Sequence, residues 1–310
     1  MSTSHLQVES RGLATHDQAN SNGAARCVFS VDVEDWFHIL DVPSAPAISA
    51  WDALPSRVEA NFHRLLDLFS AKRVQVTCFF LGWVAAKFPH LVREAASRGH
   101  EIASHGYSHR LLYQMTAKEF REDALRSRLL LEDIGGDRVL GYRSAGFSLT
   151  SATPWFFSEL AAAGYTYDSS VFPATRGHGG LPHAPRLPYA VGNNGSRIIE
   201  FPMTVTELGA REFCFFGGGY LRFFPYWLVR RMAHRVLKSG SPVVFYIHPR
   251  EIDPAHPRLP MSLPRRFKSY VNLHQTEAKL HRILDDFPVG TFQQLLVSHG
   301  HQWSLHEASH

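Results

Sequence analysis

Seven short apolar runs punctuate the chain, at 27–32, 74–81, 101–104, 140–143, 165–168, 198–202 and 242–248, and five of them run straight into titratable residues. Their length and their β-branched and aromatic content predict buried strands. Between them, apolar residues recur at helical spacing. Val58, Phe62, Leu65, Leu66 and Phe69 mark a helix over 56–69. Further helices are predicted over 89–98, 116–134, 154–163, 225–237 and 276–284, with a last one from Thr291. Strands alternating with helices imply an α/β fold, a mostly parallel sheet with helical crossovers, either open or rolled into a barrel. In such folds the loops at the carboxyl ends of the strands build the site. Asp32, Glu34 and Asp35, His105 and His109, Arg143, Asp168 and His248 all fall there. At 310 residues the chain is one large domain or two modest ones.

Composition removes several classes. A hydrophobic share of 45%, with 12% aromatic residues, excludes wholesale disorder. The charge balance is 32 − 28 = +4, and the basic residues are scattered, so no nucleic-acid partner is expected. Cys27, Cys78 and Cys214 form no close pair, which argues against a disulfide scaffold and fits a reducing compartment. No apolar stretch approaches the ~20 residues that span a bilayer. Residues 1–26 are polar and lack an apolar run after a basic start, so they read as a disordered tail rather than a secretory leader. A cytoplasmic or inner-membrane-associated location is expected. The loop 173–195, rich in Gly, Pro, His and Asn, reads as functional or mobile.

The polar ends suggest chemistry. Three acids after one strand, Asp32, Glu34 and Asp35, are costly together unless a cation compensates them or one takes a proton. They suggest a metal ligand plus a general base, or else a solvated turn at a helix start. His105 and His109 stand at i and i+4, which places both on one helical face within reach of one ion. With a carboxylate they make a site that leaves room for water and substrate. Arg143 can orient a carboxylate or sit in a surface ion pair. His248 can be a general acid or a satisfied core histidine. Asp168 can tune His248, fix Arg143, or cap a turn with Ser169. Gly217-Gly218-Gly219 shows no phosphate-binding or dinucleotide fingerprint, and no nucleophile elbow appears.

Together these residues resemble the polysaccharide deacetylase family, with its NodB homology domain (carbohydrate esterase family 4), over about 27–253. Phe29-Ser30-Val31-Asp32 is similar to its first motif, and Thr77-Cys78-Phe79-Phe80-Leu81-Gly82 to its second strand. The run Arg98-Gly99-His100-Glu101-Ile102-Ala103-Ser104-His105-Gly106-Tyr107-Ser108-His109 closely resembles its histidine motif. Three further stretches resemble the branch associated with exopolysaccharide and exosortase (PEP-CTERM) gene clusters. They are Val31-Asp32-Val33-Glu34-Asp35-Trp36-Phe37, Tyr167-Asp168-Ser169-Ser170-Val171-Phe172-Pro173 and Tyr246-Ile247-His248-Pro249-Arg250-Glu251. The tail 267–292, with Tyr270-Val271-Asn272-Leu273-His274, is similar to that branch's C-terminal extension.

The resemblance implies a distorted (β/α) barrel of about seven parallel strands with its site at their carboxyl ends. It divides the chain into a tail (1–26), a deacetylase domain (27–253) and a helical extension packing on it (254–310). It implies one divalent ion, zinc first and cobalt or nickel as alternatives, held by His105, His109 and a carboxylate. Asp32 is then the general base, Arg143 its orienting partner and His248 the general acid. The implied reaction removes N-acetyl groups from a polysaccharide or its precursor in exopolysaccharide biosynthesis, so the expected partner is an N-acetylated glycan. Two departures stand out. Val33 occupies the second place of the family's usual Asp-Asp pair, so the third ligand is Glu34 or Asp35, and the shorter carboxylate inclines the reading to Asp35. The family's Asp-Trp fourth motif is not recognisable, which leaves the role of Asp168 open. Alternatives are an amidase or cyclic-amide hydrolase on a small molecule, and a catalytically inactive carbohydrate-binding protein.

Overall fold

Continuous burial along a strand marks a sheet covered on both faces, and the first strand, β1 (Cys27–Val33), is buried at every position. The computed structural model describes residues 26–175, 177, 179–192, 197–209 and 211–299. The expected tail, apart from Arg26, lies outside them, as do parts of the 173–195 loop and residues 300–310. The other strands are β2 (Thr77–Phe80), β3 (Glu101–Ser104), β4 (Gly141–Tyr142), β5 (Tyr167–Asp168), β6 (Tyr189–Val191), β7 (Ile198–Glu200), β8 (Thr206–Leu208), β9 (Arg211–Phe213), β10 (Val243–Ile247) and β11 (Val289–Gly290).

The main sheet runs β10-β1-β2-β3-β4-β5-β7-β6, and β11 pairs with the start of β1. Every pairing from β10 to β7 is parallel; β6 joins antiparallel at the edge. The seven-strand parallel arrangement expected from the apolar runs is therefore present. Its curl is visible in one contact. Strands sit about 4.8 Å apart, so β1 and β4 would lie roughly 14 Å apart in a flat sheet. Yet Arg143, just past β4, reaches Ser30 and Asp32 of β1 at 2.8 and 2.6 Å. The ring stays open between β10 and the segment after β7, where the Val244 N–H donates to Thr204 Oγ1 at 2.9 Å.

Helices cross over on the outside. Val58–Lys72 buries Val58, Phe62, Leu65, Leu66 and Phe69, the stripe seen in the sequence. Ala117–Gly135 opens on a capping box between Thr116 and Glu119, in which each side chain satisfies the other's backbone N–H. Three short helices escape sequence reading: Gly82–Lys87, Gly218–Phe223 and Leu263–Tyr270. The first two begin on glycine, the third carries proline at its start, and none is long enough to show a period. Gly82 is required by packing: a Cβ there would meet Tyr107 Cδ2 at 2.6 Å. Its N–H donates to the Gly106 carbonyl at 2.8 Å, which ties this helix to the histidine loop. The residues after 253 also enter the fold. Following β11, the helix Phe292–His299 inserts Phe292 among Phe79, Tyr167 and Phe201.

Candidate active site

Asp32 sits at the carboxyl end of β1 and is 1% exposed. Its Oδ1 accepts from Arg143 Nη1 at 2.6 Å. The Arg143 side chain is fully buried, and other contacts hold it in place. Nη1 also donates to Ser30 Oγ at 2.8 Å, Nε to the Ser169 carbonyl at 3.3 Å, and Nη2 to Ser169 Oγ at 3.2 Å. The Phe79 ring lies 4.1 Å from the guanidinium carbon. A buried charge pair this well satisfied fixes a carboxylate in one orientation. Asp32 Oδ2 is left facing His248 Nε2 at 3.9 Å.

Glu34, His105 and His109 converge beside it, each offering a ligand atom within 4.8 Å of the others, and all three are buried. The two histidines do not share a helical face. They stand on an irregular loop with positive φ at Gly106 (72°) and His109 (53°). The loop is held from below: the Tyr107 and Ser108 N–H groups donate to the Asp123 carboxylate at 2.7 and 3.1 Å. The helix expected from i, i+4 spacing is thus replaced by a clamped turn that still brings both rings together.

The donor chemistry fits a borderline divalent ion. His105 Nδ1–H donates to the Arg143 carbonyl at 2.8 Å, which leaves the Nε2 lone pair for a ligand. His109 Nε2 is buried without a hydrogen-bond partner, 3.2 Å from Glu34 Oε2. Burial, despite the Glu34 charge, lowers His109 to about 4 and keeps it neutral. Burial opposes the Glu34 carboxylate, but the neighbouring His109 and His248 rings prevail and hold it well below the usual range. An ion would find two imidazole nitrogens and one carboxylate, the donor set of an open catalytic site.

Asp35 is a correction. Its carboxylate accepts from the N–H groups of Trp36 (2.8 Å), Arg57 (2.9 Å) and Val58 (3.2 Å) and from Ser56 Oγ (2.5 Å). Arg57 and Val58 open the helix Val58–Lys72, which has no cap of its own at Arg57. Asp35 therefore neutralises a helix start from a distance, and Glu34 takes the place beside the imidazoles. Asp35 also fixes a residue that sequence reading missed. The Asp35 N–H donates to His38 Nδ1 at 2.9 Å, so His38 carries its proton on Nε2, which is buried and unpartnered. A protonated Nε2 cannot ligate a metal, so His38 stays outside the ligand set.

His248 follows β10 directly and meets the cluster at Glu34. Its Nε2 lies 2.9 Å from Glu34 Oε1 and its Nδ1 2.6 Å from Glu251 Oε1. Burial opposes the imidazolium, but these two carboxylates outweigh it and lift His248 to about 9. Glu251 is buried too; the Arg222 guanidinium, 2.8 Å away, and His248 bring its carboxyl down to about 2 against the effect of burial. Glu251 was legible only as part of the quoted 246–251 stretch, and Arg222 carried no signal at all.

Asp168 is the second correction. Among the described residues its carboxylate is hydrogen-bonded neither to His248 nor to Arg143. Its oxygens accept from Ser170 N–H (3.1 Å) and Ser170 Oγ (2.6 Å), a local turn. Its other partner is Glu200 of β7. Burial raises both carboxyls above the usual carboxylate range, and their mutual proximity adds to the rise at Glu200.

Residues 41–167 match the family model described as polysaccharide deacetylase. Over these residues the chain is similar to polysaccharide deacetylases. Residues 169–297 match a second model, described as a domain of unknown function (DUF3473). A peptidoglycan deacetylase of Helicobacter pylori is 30% identical over 142 residues, covering 45% of this chain and 44% of that protein. A peptidoglycan-N-acetylglucosamine deacetylase of Bacillus cereus is 34% identical over 73 residues, covering 24% and 26%. The chain thus spans less than half the length of these curated relatives. A structure from Mycobacterium smegmatis described as a polysaccharide deacetylase superposes with a TM-score of 0.61 at 18% identity, covering 94% of this chain and 96% of the other. An allantoinase (Puue) superposes at 0.56 and 18% identity, covering 96% and 94%. At these identities the likeness is one of fold. Among the described residues no helix is long and apolar enough to cross a membrane.

Proposed function

We propose that this chain is a metal-dependent hydrolase that removes N-acetyl groups from an N-acetylated glycan. One observation carries the reading: a buried carboxylate and an imidazole, Asp32 and His248, face each other at 3.9 Å beside the Glu34–His105–His109 cluster. A base and an acid beside a three-ligand site are what amide hydrolysis requires. A divalent ion held by Glu34, His105 and His109 supplies Lewis-acid activation of water and of the acyl carbonyl, and zinc suits the donors best.

The chain's own groups do the rest. Asp32 Oδ2 takes a proton from the attacking water, whose oxygen joins the acyl carbon. Arg143 holds Asp32 at Oδ1, so only Oδ2 is free to receive that proton. The C–N bond then breaks, its electron pair stays on nitrogen, and His248 Nε2 donates the proton that lets the amine leave. Acetate and a free amino sugar are the products. The similarity to deacetylases of peptidoglycan supports a polymeric amino-sugar substrate, and the resemblance of the 31–37 and 246–251 stretches to the exopolysaccharide-associated branch supports an exopolysaccharide or its precursor.

The test is a substrate panel for the zinc-loaded protein: N-acetylglucosamine oligomers, peptidoglycan fragments, an N-acetylated exopolysaccharide and allantoin. Acetate release from one or more glycans, with allantoin untouched, is the expected result. Hydrolysis of allantoin alone would overturn the reading in favour of a cyclic-amide hydrolase.

A further inference from the structure

Two buried charges stand behind His248 and no step above uses them. Glu251 Oε1 accepts from His248 Nδ1 at 2.6 Å and from the His248 backbone N–H at 3.2 Å. It lies three residues on, in the short turn Pro249–Ile252, so ring and backbone are clamped by one carboxylate oxygen. The other oxygen accepts from Arg222 Nη1 at 2.8 Å. Arg222 is anchored in turn. Its Nη2 donates to the Lys268 carbonyl at 2.7 Å. Lys279 Nζ donates to the carbonyls of Leu221, Arg222 and Phe224 at 3.0, 2.7 and 2.8 Å, closing the end of the helix Gly218–Phe223.

Resting on the deacetylase reading, we propose that Glu251 and Arg222 are a positioning dyad for His248, through which the 169–297 segment supplies the acid half of the site. The carboxylate holds the proton on Nδ1 and aims Nε2 at the departing nitrogen. The guanidinium holds the carboxylate in the one rotamer that reaches the ring. A buried imidazole without such a partner is free to adopt the other tautomer or turn away. A helix-capping role alone would need only the backbone contact. The contact to Nδ1, and the buried guanidinium spent on the other oxygen, go beyond it. Asp168, for which tuning of His248 is one of the readings the sequence leaves open, is committed to Ser170 and Glu200.

Leaving-group chemistry separates positioning from mere structure. An amine must be protonated to depart, whereas the phenolate of 4-nitrophenyl acetate leaves without a proton. In zinc-loaded Glu251→Gln and Glu251→Ala, kcat on the N-acetylated glycan should fall by about 100-fold or more. Hydrolysis of 4-nitrophenyl acetate should stay within about 3-fold of the parent protein, with zinc content unchanged. Arg222→Gln should show the same selective loss. Equal losses on both substrates, or none on the glycan, would overturn the dyad. Should the parent protein deacetylate no glycan, the functional reading falls, and the imidazole nitrogen spectrum of His248 decides the dyad by itself. Protonation at Nδ1 in the parent and its loss in Glu251→Ala support it; identical spectra refute it.

Discussion

Replacing Glu34 with Gln and, separately, Asp35 with Asn tests which of two adjacent carboxylates belongs to the metal and which to the fold. Glu34 Oε2 lies 3.2 Å from the unpartnered His109 Nε2, and Glu34 has no role in capping. Losing one ligand of three should cost zinc affinity more than the roughly 10–100-fold typical of partners outside the ligand set. Asp35 instead receives four donors, three of them backbone N–H groups. Hydrogen bonds to a charged acceptor contribute about 1.5–3 kcal/mol each. Asn keeps one acceptor oxygen but no charge, so Asp35→Asn should destabilise the metal-free protein by about 2–4 kcal/mol. Zinc competition against a chromophoric chelator reads the first quantity and urea denaturation the second. Glu34→Gln should lose zinc and keep most of its stability; Asp35→Asn should do the opposite. A tightly folded Asp35→Asn that no longer binds zinc, beside a Glu34→Gln that does, would refute the assignment.

Three further predictions concern the scaffold. Arg143→Met leaves Asp32 buried without its partner and should destabilise the fold by about 3–5 kcal/mol; a loss under about 1 kcal/mol in urea denaturation would mean that Asp32 has another partner. Gly82→Ala drives a Cβ to 2.6 Å from Tyr107 and should cost about 1–3 kcal/mol while displacing the histidine loop, seen as weakened zinc binding. His100 is held at about 4 by burial, with its Nε2 unpartnered, against about 6.5 when unfolded. Above pH 6.5 neither state is protonated and His100 contributes nothing to the slope. Below it the unfolded chain takes a proton that the folded one refuses, so stability falls by about 1.4 kcal/mol per pH unit down to about pH 4. Compared with His100→Asn, the parent should lose about 3 kcal/mol more over that range; parallel curves would remove His100 from the acid limb.

The elements that could be read from sequence were those whose signal is local. β1 and β10 are buried on both faces and appear as apolar runs; the helix Val58–Lys72 shows its stripe because one face meets the core. The residues now gathered around the cluster stood out because each ends such a run. What stayed hidden depends on distant chain. Asp35 caps the turn Trp36–His38 locally, as an acid at a helix start can, but nothing near it announces that residues 56–58 also arrive to donate to it. Asp168 finds Glu200 across a strand pairing, so its partner could not be chosen from the Tyr167-Asp168-Ser169-Ser170 stretch. Arg222 meets Glu251 across an interval of 29 residues. The histidine spacing suggested a helix, but Gly106 and His109 adopt left-handed backbone, which suits a loop clamped by Asp123.

The central claim is that Asp32 acts as the base beside a Glu34–His105–His109 metal site, and Asp32→Asn tests it most directly. The variant keeps the side-chain shape and one acceptor for Arg143 but cannot take a proton. Acetate release from an N-acetylglucosamine oligomer should be measured on parent and variant proteins after metal stripping and again after zinc is restored. The account predicts no release without zinc, recovery in the parent on adding it, and a loss of at least about 100-fold in the variant at full zinc occupancy. Undiminished acetate release by zinc-loaded Asp32→Asn, or full activity of the metal-stripped parent, would contradict it.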